Sequence, residues 1–298
     1  MPDRKRKEKP RVSIIGAGRL GTALAVALAR QGYSVRSLVA RRVESARKAA
    51  TLAGKAAGVS DDEIATFAAK QIGALPPADL FLITVPDDQI ATVAVELAKL
   101  NSDGKPTALH TSGALSAEVL APLRDEGWNT GSLHPLVSVS DPQAPIDGAF
   151  WCVEGDPRAA RVAKQIVRDL GGTSFSIGST DKPLYHAAAV MTSGSVTALF
   201  DVALEMLVES GLTRKTARRI LQPLLASTVQ NLETKDPAAA LTGTFSRGDL
   251  ETVKRHVAAL KQHNLRDALQ LYRLLGQRSL EMTKKHPQLR RFLADDKF

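Results

Sequence analysis

The run Val12-Ser13-Ile14-Ile15-Gly16-Ala17-Gly18-Arg19-Leu20-Gly21 decides how this chain is read. Val12–Ile15 is short and rich in β-branched residues, as a parallel strand buried on both faces should be. Glycines follow at once in the spacing Gly-x-Gly-x-x-Gly. Residues 20–29 are rich in Ala and Leu, helical by propensity, with Gly32 as C-cap. A second strand is expected at 35–39. Strand, glycine turn, helix and strand form the context in which this spacing binds a dinucleotide. Gly16 permits the tight turn, Gly18 lets the backbone approach a pyrophosphate, and Gly21 lets the helix lie close to the sheet. The unpaired N–H groups and positive dipole end at residues 19–22, Arg19 and Leu20 among them, then face the phosphates.

The end of the second strand selects the cofactor. An NAD site carries Asp or Glu there to bond the ribose 2′-hydroxyl. This chain has Ala40-Arg41-Arg42 and no carboxylate before Glu44. Two guanidiniums suit a 2′-phosphate, so NADP(H) is the expected cofactor, held by Arg41 and Arg42. Arg47 suits either an assisting role or a solvated helix position. Val85 and Pro86 close a strand expected at 78–85, near the crevice where a doubly wound sheet reverses its strand order. They are expected beside the nicotinamide ribose, with Asp87 or Asp88 capping a helix at 89–100.

Outward from this turn, helices are expected at 43–52, 61–72, 116–126 and 157–170, and strands at 107–110, 130–133, 149–153 and 173–177. Alternation of this kind gives a doubly wound, mostly parallel α/β sheet of the Rossmann class. After Gly178 the pattern is helical alone, at 183–210, 214–231, 249–262 and 265–285, with Asp249 as an N-cap and Thr252 at N3. The expected organisation is a Rossmann domain at 11–178, an all-helical domain at 179–298 and a basic tail at 1–10.

The bulk properties agree. A chain of 298 residues suits two domains. Apolar residues make up 44% and aromatics only 4%, so the cores must be built from Ala, Val and Leu. Much of the formal net charge of +9 sits in Arg4-Lys5-Arg6-Lys7, with Lys9 and Arg11. No aromatic residue interleaves those charges, so a solvated, disordered tail is expected there rather than a nucleic-acid arm. Cys152 is the only cysteine, which rules out an intramolecular disulfide and a cysteine-based zinc site. It lies in Phe150-Trp151-Cys152-Val153 and reads as a buried structural thiol. His256 and His263 share a helix face loosely but lack a third ligand, so no metal is expected. The longest apolar stretch, 187–208, contains Asp201 and Glu205, which favours a buried helix of a cytoplasmic protein over a membrane span. The helix at 183–210 is too apolar for one small helical domain to bury, so a homodimer through that domain is expected.

Four further motifs carry a resemblance: His110-Thr111-Ser112-Gly113-Ala114, Ser132-Leu133-His134-Pro135-Leu136, Lys182-Pro183-Leu184-Tyr185-His186-Ala187-Ala188-Ala189, and Leu241-Thr242-Gly243-Thr244-Phe245-Ser246-Arg247-Gly248-Asp249. In this order they resemble bacterial Rossmann-like proteins with a helical C-terminal domain of unknown function, over nearly the whole chain after the tail. More distantly the chain is similar to the β-hydroxyacid dehydrogenase group, including ketopantoate reductase and pyrroline-5-carboxylate reductase. That likeness implies a C-terminal domain of the 6-phosphogluconate-dehydrogenase type and reduction of C=O or C=N with NAD(P)H. It departs from the family pattern at Gly194, where Asn usually follows the serine at Ser193, and at Gly243-Thr244, where Gly-Pro is usual.

Hydride transfer to a carbonyl or imine carbon requires a proton donor at the heteroatom. Lys182 is the first candidate: it sits in the first turn of a helix beside Pro183, where the positive helix end should lower its pKa. His186 lies on the same face one turn on, and the pair resembles the Lys-x-x-x-Asn pair of β-hydroxyacid dehydrogenases. A surface lysine and a packed histidine is the plain alternative. His134, just past a strand end, suits orienting substrate or relaying a proton, or a loop position held by backbone bonds. Thr111 and Ser112 suit a substrate carboxylate or the nicotinamide amide, or the capping of the next helix. Ser193 and Arg247 complete the substrate-binding candidates, although Arg247 fits a solvated loop equally well. The expected activity is NADPH-dependent reduction of a small 2-oxo acid or cyclic imino acid, ketopantoate-like by resemblance, with a non-catalytic NADP(H)-binding sensor as the rival. A deazaflavin co-substrate stays open.

Overall fold

In the computed structural model residues 9–100 and 104–294 are described, so nearly all of the basic tail lies outside them. The chain divides into two units, the first ending at Met191 and the second starting at Thr192. The expected boundary after residue 178 is therefore too early. The helix that opens at Lys182 packs with the first unit because its buried lysine reaches into the sheet.

The first unit runs β1 (Val12–Ile15), α1 (Arg19–Arg30), β2 (Val35–Ala40), α2 (Val43–Ala57), β3 (Ala65–Ala68), β4 (Leu80–Ile83), α3 (Asp87–Ala98), β5 (Thr107–His110), α4 (Ala121–Asp125), β6 (Asn129–Pro135), β7 (Phe150–Gly155), α5 (Pro157–Asp169), β8 (Thr173–Phe175) and α6 (Lys182–Thr192). The eight strands lie in the order β3-β2-β1-β4-β5-β6-β7-β8. Every pair is parallel except β6–β7, which is antiparallel. Strand order reverses between β1 and β4, where this fold opens a crevice at the strand C-termini. Alternate residues feed opposite faces of the sheet. Val12, Ile14, Leu80 and Leu82 pack on one side with α1, α2 and α5, while Ile15, Phe81 and Ile83 pack on the other with α3. Alanines on α1 and α2 let those helices approach closely, and the core is dominated by Ala, Val and Leu.

Three local expectations are corrected. Residues 61–72 are not a helix: a 3-10 turn at Asp61–Glu63 leads into β3, and a second follows at Ala69–Ala74. As an edge strand half-buried along its whole length, Ala65-Thr66-Phe67-Ala68 has too little apolar pattern to separate it from its helical neighbours. The helix expected at 116–126 is a 3-10 turn, Ala117–Leu120, followed by the short α4. Pro122 lacks the N–H that would continue a single helix. The single helix expected at 183–210 is two, α6 and α7 (Gly194–Glu209), broken at Ser193, where serine and glycine both favour leaving helical geometry.

The second unit adds α8 (Arg214–Thr234), α9 (Pro237–Ala240), α10 (Gly243–Arg247), α11 (Leu250–Gln262), α12 (Arg266–Thr283) and α13 (Pro287–Ala294). Asp249 caps α11 by accepting from the Thr252 backbone N–H at 3.1 Å. Val253, Val257, Leu280, Leu289 and Leu293 form its small core. The run Ser179–Glu209 is long and apolar enough to cross a membrane by length and composition, with mean hydropathy 1.5. Only 6% of its most apolar 18-residue stretch is buried, so this helical run is left uncovered within one chain.

Candidate active site

The glycine turn is built as its spacing requires. Gly16 has φ +116, and a Cβ there would fall 2.6–2.8 Å from the Thr84 carbonyl and the Val85 nitrogen. A Cβ on Gly21 would fall 2.2 Å from the Gly16 oxygen and 2.5 Å from Thr84 Oγ1, which itself donates to Gly16 O at 2.7 Å. Gly18 is exposed, and a Cβ there would meet only the Gly16 oxygen at 4.0 Å, so a ligand has room to approach the backbone. No acidic residue lies in the first turn of α1, whose leading N–H groups have no acceptor one turn back. Arg41 and Arg42, at the C-terminal end of β2, are both exposed. Val85 is half-buried and Pro86 exposed beyond β4, on the other side of the switch point.

A second cluster forms over the C-terminal ends of β5 and β6. The antiparallel pairing sets Ser132 opposite Glu154 and His134 opposite Cys152. These four residues share one face of the sheet, because side chains alternate along a strand and match across it. Lys182 comes down onto that face. It is 0% exposed, donates to Ser132 Oγ at 2.6 Å, and sits 3.4 Å from Glu154 Oε2. Burial pushes its ammonium below the ordinary lysine range, with Glu154 opposing. The expected direction holds, but burial rather than the helix end is the main cause. Glu154 is fixed in turn by the Ala117 N–H, 3.2 Å from each carboxylate oxygen.

His134 Nδ1 is 2.7 Å from the Tyr185 hydroxyl, and its ring meets that of His186 edge-on. Burial, with His186 and then Lys182, pushes His134 down to about 4, so its ring is neutral near pH 7. Both histidines rest on Gly113: a Cβ there would fall 2.4 Å from His186 Nδ1 and 2.8 Å from His134 Nε2. His186 Nδ1 is buried without a hydrogen-bond partner. Thr111 and Ser112 are buried, and their hydroxyls bond within the protein, to β4, to α3 and to the loop that carries them. Thr111 Oγ1 donates to Ile83 O at 3.4 Å, while Ser112 Oγ donates to Asp87 at 2.8 Å and accepts from the Ala114 and Leu115 N–H groups. Ser193 and Arg247 belong to the second unit, where both are exposed.

The structure thus brings Lys182, His134 and His186 together and adds Ser132, Glu154, Tyr185 and Gly113, none of which was singled out from sequence as a site residue. Ser132, Tyr185 and Gly113 sat inside quoted motifs. Glu154 carried no signal, because only strand pairing reveals what stands opposite Ser132. Cys152 is fully buried and its thiol is pushed up by burial. No group of three His, Cys, Asp or Glu side chains that could hold a metal occurs among the described residues.

Two family models match the chain: a Rossmann-like domain over residues 2–135, and Domain of unknown function (DUF2520) over residues 149–279. A comparison with curated proteins finds no match. Among solved structures, a Bacteroides fragilis protein provisionally named an NADP oxidoreductase is 23% identical, covering 92% of this chain and 99% of that one, with TM-score 0.74. A reductive aminase from Aspergillus terreus, in complex with NADPH and ethyl-5-oxohexanoate, is 16% identical over 92% of this chain and 94% of that one, with TM-score 0.63. A pyrroline-5-carboxylate reductase from Coxiella burnetii is 17% identical over 93% of this chain and 100% of that one, with TM-score 0.55. Likeness at these identities establishes the fold.

Proposed function

We propose that this chain, which joins a Rossmann-like domain to a DUF2520 domain, is an NADPH-dependent reductase of a C=O or C=N group in a small molecule. The observation that carries the reading is the convergence of two features on one edge of one sheet. The glycine cradle after β1 and the Lys182, His134 and His186 cluster after β5 and β6 both lie at the C-terminal ends of parallel strands, where this fold binds ligands. The cradle fits a pyrophosphate: backbone fills the places where Cβ atoms of residues 16 and 21 would stand, while residue 18 is open to solvent.

NADPH, when bound, supplies the hydride. Lys182 supplies the proton to the heteroatom, and the neutral ring of His134, with His186 beside it, orients the substrate. NADP(H) bound in related folds supports the cofactor, as do the two exposed guanidiniums of Arg41 and Arg42, which suit a 2′-phosphate. The substrate favoured by resemblance is a 2-oxo acid or cyclic imino acid.

The decisive experiment is incubation with NADPH and a panel of oxo and imino acids, followed at the nicotinamide absorbance. Catalytic oxidation is expected. Calorimetric binding without oxidation by any panel member would favour a cofactor-binding sensor, and absence of binding at millimolar NADPH and NADP⁺ would remove both readings. Replacing Arg41 and Arg42 together by alanine is expected to weaken NADPH about 10- to 100-fold, since the two exposed guanidiniums, screened by solvent, together contribute about as much as one charge-assisted hydrogen bond, about 1.5–3 kcal/mol. NADH binding, measured in the same titration series, should change little.

A homodimer through the helical unit is part of the same proposal. Leu199 on α7 and Ile220, Leu224, Val229 and Leu232 on α8 are 42–62% exposed, which is costly for aliphatic side chains in water. A second copy packed against α7 and α8 would bury part of this apolar surface. Light scattering at micromolar protein is expected to give twice the chain mass of 31.9 kDa, and a monomeric mass would remove the dimer.

A further inference from the structure

We infer that Glu154 is a positioning residue for the reaction, holding Lys182 at the substrate edge of the sheet and keeping it protonated until it is used. The inference rests on the reductase reading above.

A lysine that is 0% exposed needs a counter-charge, because an isolated ammonium in a dry interior sheds its proton. Glu154 supplies that charge at 3.4 Å and is itself 17% exposed at the side chain. Its position is over-determined. Cross-strand pairing with Ser132 puts the carboxylate on the same face as the hydroxyl that accepts from Lys182, and the Ala117 N–H grips both carboxylate oxygens. Ser132 and Glu154 thus form a two-point seat for one ammonium, built by the antiparallel turn of the sheet at β6–β7.

The other groups around Lys182 do not replace this charge. From β7, Cys152 stays a thiol because burial pushes it up. From β5 and β6, His110 and His134 are held neutral, down to about 3 and about 4, with burial the main cause. On α6, the Tyr185 phenol keeps its proton because burial raises it, and His186 stands beside His134. From α3, exposed Asp87 acts on Lys182 more weakly than Glu154. In the reaction, a substrate oxygen or nitrogen takes a proton from Lys182 Nζ as carbon receives hydride. The lysine is left as the neutral amine and recovers a proton from water. Glu154 exchanges no proton, and its charge sets how firmly Nζ holds its own.

The test is the pH dependence of kcat/KM for the Glu154→Gln and Glu154→Asp variants, beside an NMR titration of ¹⁵N-labelled lysine following Lys182 Nζ. In wild type, kcat/KM should fall as Lys182 deprotonates on the basic side. An opposite charge within about 4–6 Å shifts a pKa by about 1–3 units. Glu154→Gln should therefore move the basic limb down by at least about one unit, a tenfold loss above the new limb. NADPH affinity should be unchanged, Glu154→Asp should recover part of the shift, and the NMR titration should move in parallel. An active Glu154→Gln enzyme with its limb unmoved overturns the inference and leaves the reductase reading standing. An NMR shift without a shift of the limb also overturns it, because Glu154 would then be structural alone. A wild type that oxidises no NADPH with any substrate removes the reductase reading, and the inference with it.

Discussion

Replacing Lys182 by alanine is expected to cut turnover at least about 100-fold while leaving NADPH affinity nearly unchanged. General acid catalysis contributes about 10²–10⁴ in rate, and Lys182 is the donor proposed at the edge of the sheet where substrate binds. The cofactor cradle is formed by other segments, after β1, β2 and β4, so cofactor binding should survive. Lys182 also carries a buried ion pair, and removing one partner of such a pair costs about 3–5 kcal/mol. Residual exposure of Glu154, 17%, keeps the cost toward the lower end, because the stranded carboxylate can take up water or a proton. Loss of activity must therefore be separated from loss of fold. The double variant Lys182→Met with Glu154→Gln removes both charges and leaves a polar amide for the Ala117 N–H. It should melt closer to wild type than Lys182→Ala and be equally inactive. Thermal unfolding with NADPH oxidation on the same samples makes the separation, and a folded Lys182→Ala protein with full activity would take Lys182 out of the mechanism.

The two halves of this site differ in how far sequence exposes them. The cofactor cradle is continuous in the chain. Each glycine meets an atom of the same turn or of the adjacent strand end, so spacing alone carries the geometry. Arg41 and Arg42 are legible for the same reason, since the end of β2 follows directly from its start. The chemical cluster is assembled from β5, β6, β7 and α6, and its logic lies in pairings between distant segments. Lys182 and His186 were legible because one helical turn separates them. Ser132 and Glu154 meet only because β7 runs antiparallel to β6, a choice that hydrophobic pattern does not encode when both strands are buried. The same limit misplaces the unit boundary: the 182–192 segment is helical in pattern, and what ties it to the sheet is the set of side-chain contacts that Lys182, Tyr185 and His186 make with distant strands and loops. The edge strand β3 shows the converse, where a half-buried segment leaves pattern too weak to outvote its helix-like neighbours.

Stability is expected to fall steeply as pH drops from about 6.5 toward 4, with His110 as a principal cause. This last residue of β5 is 0% exposed and satisfied only as the neutral ring. Nε2–H donates to the Ser116 carbonyl at 3.1 Å, and Nδ1 accepts from the Ser112 N–H at 3.2 Å. A second proton on Nδ1 would face that N–H and break the loop that carries Thr111–Ser116. Burial first, then the charge on Lys182, pushes His110 from 6.5 down to about 3, while the Ser116 bond opposes. The sign follows from the depressed value. The unfolded chain takes up the proton near pH 6.5 and the folded chain does not, so this contribution is whole above about 6.5 and is lost progressively as pH falls toward 3. One group titrating only in the unfolded state gives a slope of about 1.4 kcal/mol per pH unit, and the full span amounts to roughly 5 kcal/mol. Against a typical total of about 5–15 kcal/mol that is a large share. His134, depressed to about 4, acts with the same sign in the upper part of the window. His110→Gln keeps a donor for Ser116 and removes the titration. It should cost about 1–3 kcal/mol at pH 7, where the Ser112 N–H loses its acceptor, yet give a visibly flatter pH profile. Denaturant unfolding of both proteins at pH 7, 6, 5 and 4.5 stays above the range where most carboxylates titrate. Parallel stability lines would show that His110 contributes no acid sensitivity.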